Sequence, residues 1–169
     1  MTEKKQNSSD PKPVFEPGLH VYSTKAAFCL EPLQRETDSP QPGLATVQIA
    51  LSTALREYDW ANKLVVKLTL VEMMSLLGVF RGKLKRAEFV RLDKAKKVKT
   101  FVIEDQTTNY YAQFKSATGY AVQIPNIDGA SIALLLIRLL CSHYPGIPVG
   151  IVVAEVDYAC SRQALKGEK

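Results

Sequence analysis

The clearest pattern in the chain is the strict alternation of "KLVVKL", where Leu64, Val66 and Leu68 share one face and Lys63, Val65 and Lys67 the other. A period of two with one apolar face predicts a half-solvated strand of an antiparallel sheet. The same period runs through "TVQIALS", with Val47, Ile49 and Leu51 against Gln48, Ala50 and Ser52. It recurs from His20 in "HVYSTKAAFCL", which reads as one strand with Tyr22, Thr24, Ala26, Phe28 and Leu30 on one side. Downstream, "KTFVIED", "YYAQFK" and "YAVQI" place Phe101, Ile103, Tyr110, Ala112, Phe114, Tyr120, Val122 and Ile124 inward. Tyr111, Gln113 and Lys115 face outward, and "TTN" at 107–109 and "SATG" at 116–119 read as hairpin turns.

Between these two groups of strands the period changes. Thr69 with Glu72 three residues on forms a capping box, and Leu68 and Met73 stand as a staple across it. The helix this starts near Leu70 is apolar nearly all round through Phe80, which predicts burial, and Gly82 can end it. A second helix is expected from Asp128 as cap to about Tyr144, stopped by Pro145. Arg138 inside its apolar run argues against a membrane span. Only Ser131, Arg138 and Ser142 are left for solvent, so a neighbouring copy is expected to cover the rest, with Leu136 and Leu140 at the interface.

Strands, helix, strands, helix make one α+β domain, which 169 residues at 46% apolar composition can support. Residues 1–18, rich in Lys, Ser, Asn and Pro, are expected to be a disordered tail. Residues 31–43, with three prolines, read as a connection. The expected domain covers 19–147. Residues 148–169, including "VGIVVAEV", form an extension to which the pattern assigns no role.

Charge sharpens the picture. The net charge is +5, yet residues 81–99 alone hold nine cations and two anions, a net +7, against 13 cations and 15 anions, −2, elsewhere. This segment reads as a basic connector. Three cysteines, Cys29, Cys141 and Cys160, match neither a disulfide framework nor a zinc site and point to a reducing compartment. The first residues carry neither a secretory apolar core nor an Arg-rich transit pattern, so a cytoplasmic protein is expected, nucleoid-associated if bacterial.

The search for chemistry is mostly negative. The nine glycines make no phosphate loop, His20 and His143 have no metal-ligand spacing, and Glu104 and Asp105 would point to opposite faces of a strand. No enzyme activity, metal, cofactor or small-molecule substrate is expected. Basic strand faces beside exposed aromatics remain, which is the chemistry of single-stranded nucleic acid: cations meet phosphates and rings stack on unpaired bases. The candidate contacts are Lys63, Lys67, Lys99 and Lys115 with the rings of Trp60 and Tyr111. Each has a plainer alternative: a solvated basic loop, a cross-strand partner for Tyr111, a partly buried Trp60 at a strand start. An oligomeric protein-interaction scaffold is the contrasting function.

The string "VYSTKAAFCLEP" resembles the "YKGKAAL" segment of the Whirly family of single-stranded DNA-binding proteins, and "REYDWANKLVVKLTLVEMMSLL" is similar to that family's "RKYDW…K…LS..E...L". "AEFVRLD", "KTFVIED" and "VQIPNIDGASIALLLIRLL" continue in the family's order, so the resemblance covers about residues 20–147. It implies two antiparallel four-stranded sheets packed crosswise in the order ββββαββββα, buried helices and a homotetramer, a Whirly/PC4-like fold. It also implies binding of single-stranded DNA with little sequence preference, or RNA as in related proteins of that fold, in DNA maintenance or transcription. Tyr22 and Lys25 match the motif and join the candidate contacts, whereas Ser23 stands where the family has its first lysine.

Overall fold

The computed structural model describes residues 18–33, 45–92, 97–115 and 119–167; nearly all of the expected tail, 1–17, and most of "SATG" lie outside these. The elements are β1 (Leu19–Tyr22), β2 (Ala26–Pro32), β3 (Ala45–Ala54), β4 (Glu57–Tyr58), β5 (Leu64–Leu68), α1 (Leu70–Phe80), β6 (Arg86–Leu92), β7 (Val98–Asp105), β8 (Asn109–Phe114), β9 (Ala121–Pro125), α2 (Asn126–His143) and α3 (Val149–Gly167). One antiparallel sheet runs β1-β2-β3-β5, with the two-residue β4 pairing the far end of β3 beyond an irregularity between Ser52 and Ala54. It therefore has five strands rather than four. The other runs β6-β7-β8-β9. Both sheets and all three helices contribute to one core that includes Phe28, Ile49, Leu76, Phe101, Phe114 and Ile132.

Helix α1 forms where the sequence pattern places it. Thr69 Oγ1 accepts from the Glu72 N–H while the Glu72 carboxylate accepts from the Thr69 N–H, a complete capping box. Leu68 and Met73 are both buried, and Gly82, at φ +67, carries the chain out of the helix in the left-handed region. Val71 alone among the apolar residues of α1 is widely exposed.

Four expectations are corrected. "HVYSTKAAFCL" is two strands, because Ser23 turns the chain: its N–H and Oγ both donate to the Ala26 carbonyl, at 3.0 and 2.8 Å. Tyr22 then pairs with Ala27, on the outer face, instead of standing beside Phe28. Residues 86–92 of the basic segment 81–99 are a strand rather than a connector, since Ala87 and Phe89 enter the core from β6 and their alternation decides it; 93–96 lie outside the described residues. Pro125, without a side-chain hydrogen bond, occupies the cap position of α2, and Asp128 is its third residue, where a carboxylate favours the positive end of the helix dipole. Leu136 and Leu140 are fully buried within the chain's own core; the apolar residues that α2 presents outward are Ile127 and Leu134, 76% and 68% exposed. By length and composition α2 is apolar enough to cross a membrane, but this inward stripe packs in the core.

Helix α3 comes from the β-branched segment that the pattern left unassigned. Val152, Val156 and Cys160 recur every four residues and form its buried stripe. Pro148 starts it, accepting from the N–H groups of Ile151 and Val152. The helix docks on α1 through a two-pronged ion pair, Arg81 to Asp157 at 2.7 Å for each contact, and through Cys160 lying against Gly78.

A Cβ at position 78 would fall 2.5 Å from the Cys160 sulfur. Gly78→Ala should therefore lower stability by about 1–3 kcal/mol of overpacking. Adding Cys160→Ala should return part of it, a coupling read from the melts of both single variants and the double. Glu72 supplies a pH test. Burial raises its pKa, but hydrogen bonds from Arg91 and from Thr69 outweigh that and hold the carboxyl below its ordinary value. A depressed folded pKa contributes stability above the unfolded value and loses it as pH falls. Wild-type protein should lose more stability than Glu72→Gln between about pH 5 and pH 3, measured by chemical denaturation.

Candidate nucleic-acid interface

The tight turn after β1 fixes the geometry. On β1, His20 and Tyr22 are two residues apart and therefore share the outer face of the first sheet. Their rings stack at 5.9 Å. Tyr58 from β4 packs on Tyr22 at 5.2 Å, and Trp60, just beyond β4, meets His20 edge-on at 5.3 Å. The register across the sheet puts Ala27 and Ala50 in the row of Tyr22, and Cys29 and Gln48 in the row of His20. All four are buried, and the small Ala27, Cys29 and Ala50 leave room for rings above the strands. The Tyr58 hydroxyl donates to the Ser23 carbonyl at 2.7 Å and ties the cluster to the turn.

Cations frame the rings. Lys63 Nζ stands 6.0 Å from the Trp60 ring, and Lys25 projects from the turn. Neither makes an ion pair with a described residue. On its other side the turn borders two adjoining clefts of about 310 and 370 Å3 between the sheets. Lys25 lines both, facing Tyr111, Ala121 and Gln123 in one and Tyr111, Gln113 and Lys115 in the other. Ser23 and Thr24 join the two areas into one surface.

Five of the eight candidate contacts thus belong to a continuous surface with a free cation or ring to offer: Tyr22, Lys25, Trp60, Lys63 and Tyr111. Lys115 is there too, but its ammonium is held at 3.1 Å by Glu88. Lys67 and Lys99 are elsewhere. Lys67 pairs with Thr46, six residues along β3 from Ser52, whose N–H donates to the Lys25 carbonyl, a separation of about 20 Å. Lys99 lies opposite Arg91, which itself bonds the Lys67 carbonyl and the Glu72 carboxylate. Part of the basic segment is engaged as well: Lys85 pairs with Asp105, and Arg86 with Glu88 and Glu104. The pattern missed His20 and Tyr58. The spacing of His20 and Tyr22 by two was the available signal, and it was masked by carrying one strand through the turn.

Among the described residues no three His, Cys, Asp or Glu side chains group as metal ligands. No protein-family profile and no curated protein matches the sequence. Solved structures do match. The crystal structure of WHY1 from Arabidopsis thaliana superposes with a TM-score of 0.62 at 20% identity, over 76% of this chain and 91% of that one. WHY3 from the same plant gives 0.59 at 22%, over 76% and 89%. The plant transcriptional regulator PBF-2 gives 0.53 at 21%, over 79% and 87%.

The fold is Whirly-like. At these identities the likeness is one of architecture. In the Whirly-like frame the motif-matching Tyr22 and Lys25 flank the β1–β2 turn, "YDW" closes the aromatic cluster, and "AEFVRLD" and "KTFVIED" are the paired strands β6 and β7.

Cys29 reports on the cover over this face. Burial first, then the Glu31 carboxylate, push its thiol up to about 12, against a smaller lowering by Lys63. At pH 8 it should react with a maleimide far more slowly than the half-buried Cys141, because the thiolate is the nucleophile. Labelling of Cys29 at the rate of a free thiol would show the face to be open.

Proposed function

We propose that this protein binds single-stranded DNA with little sequence preference, and that it does so as a homo-oligomer. The observation that carries the reading is the four-ring cluster of His20, Tyr22, Tyr58 and Trp60 flanked by the ammonium groups of Lys25 and Lys63, neither in an ion pair with a described residue. Rings held by a sheet offer stacking without the cost of ordering a loop, and they reach bases only where bases are unpaired. Free lysines at the rim neutralise phosphates and release counterions. The description of one structural neighbour as a plant transcriptional regulator makes transcription a fitting process, with DNA maintenance beside it. Outward Ile127 and Leu134 on α2, and Ile147, Ile151 and Tyr158 around α3, support assembly, for which a tetramer is the proposed form. Light scattering that finds a monomer at micromolar concentration would remove that part.

The central test is a competition among single-stranded DNA, single-stranded RNA and duplex DNA of equal length. Single-stranded DNA should win, and log affinity should fall with log salt at about −0.7 per phosphate contact. Duplex binding of equal strength would defeat the proposal, and a flat salt response would favour a protein scaffold. Lys25→Ala should flatten the slope by about one contact, whereas Arg86→Ala, removing a cation already engaged by Glu88 and Glu104, should change it little. Trp60→Ala should cost about 1–3 kcal/mol of binding if the ring is a platform. A lower melting temperature with wild-type affinity would show instead that Trp60 only packs on His20.

A further inference from the structure

The clefts between the sheets differ from the aromatic face in chemistry. One wall comes from the first sheet's turn and carries Lys25; the other is the outer face of β8 and β9, with Tyr111 opposite Gln123 and Gln113 opposite Ala121. Gln123 lines the cleft of about 310 Å3 and Gln113 the adjoining one of about 370 Å3; sharing Lys25, Ala121 and the half-buried Tyr111 ring, the two make one composite cleft with room for a single base. The amides of Gln113 and Gln123 have no hydrogen-bond partner among the described residues, although the neighbouring outward side chains Arg86, Glu88, Glu104 and Lys115 are all engaged in ion pairs. A non-specific binding surface needs only cations and rings. Two unpartnered amides beside a ring and a free ammonium can read a base edge.

We propose that this cleft takes one unstacked base of the bound strand and prefers guanine. The inference rests on the single-strand binding proposed above and names what one subsite of that surface selects. The ammonium of Lys25 only donates, so it calls for acceptors, and guanine carries two, O6 and N7, on one edge. The adjacent edge carries the N1–H and the exocyclic N2 amino group, donors that a glutamine carbonyl on the opposite wall can accept. Adenine and cytosine place an amino donor where guanine has O6 and would confront it with the ammonium, and thymine offers O4 with a methyl group instead of a second acceptor beside it. Tyr111 supplies the stacking face. The other bases of the strand lie on the ring cluster, which every base satisfies alike.

The test uses the full chain and a short oligothymidylate carrying one central guanine, adenine or cytosine, with the all-thymine strand as reference. The guanine strand should bind at least about fivefold more tightly than the reference, the low end of what a bidentate base contact discriminates. Gln113→Leu with Gln123→Leu should abolish that preference while leaving the affinity for oligothymidylate and the melting temperature unchanged, since both side chains lie on the sheet surface. Equal affinity for all four strands, a preference for another base, or a guanine preference that survives both substitutions would each overturn the proposal. Failure of every strand to bind would defeat the function proposed above, and is distinguishable from these outcomes because the reference strand then also fails.

Discussion

Helix α1 has almost no polar surface, and the arrangement of the whole molecule follows from covering it. Met73, Leu76, Leu77, Val79 and Phe80 are all buried. A helix of this kind cannot face water on any broad side without exposing apolar area at about 25 cal/mol per Å2. It is surrounded instead by α2, α3, β5, β6 and β7. Gly78 is the point at which α3 comes closest, and the ion pair of Arg81 with Asp157 closes that contact at the rim. The inward tyrosine of β8 performs a similar service: Tyr110 packs on Phe80 at 4.7 Å and donates to its carbonyl, fixing the second sheet to the end of the helix.

With α1 enclosed, the outer faces of both sheets are left for other purposes. On the first sheet small residues under large rings make a broad aromatic surface, and on the second an outward row of Arg86, Glu104, Tyr111 and Gln123 mixes charge, ring and amide. The distribution of ion pairs matters more than the count of cations. In the segment richest in positive charge, Arg81, Lys85, Arg86 and Arg91 are engaged by carboxylates brought mostly from other elements, while Lys25 and Lys63 make no ion pair with a described residue. A partner anion meets the lysines that the fold left unpaired.

Much of this was legible in the residues themselves. The alternations of β3, β5, β8 and β9, the capping box of α1 and its burial follow from periodicities of two and 3.6 and from side-chain hydrogen bonds within four residues, all of which are local. Tyr111 and Lys63 were placed on solvent faces for the same reason, whereas Lys25 entered through the resemblance, since the alternation read across it is broken by the turn at Ser23. Leu136 and Leu140 show the limit. An apolar helix announces that something covers it, and not whether that cover is a neighbour or the chain's own sheets.

What the sequence by itself determined is therefore β3, β5, β7, β8, β9, α1 and α2, with the apolar face of those strands, while the split of β1 from β2, the strands β4 and β6, and helix α3 came only with the structure. What only the tertiary structure decided is which outward residues meet. The turn that the Ser23 N–H and hydroxyl close on the Ala26 carbonyl bends the first strand back and so carries His20 and Tyr22 to the rings of Tyr58 and Trp60, and Lys25 to the second sheet. These partners are separated by 35 residues for the Tyr58 to Ser23 bond, and pairings at that range are set by core packing, which no local pattern encodes. The same holds for charge: whether a lysine is free or neutralised depends on a carboxylate that the fold brings from another strand.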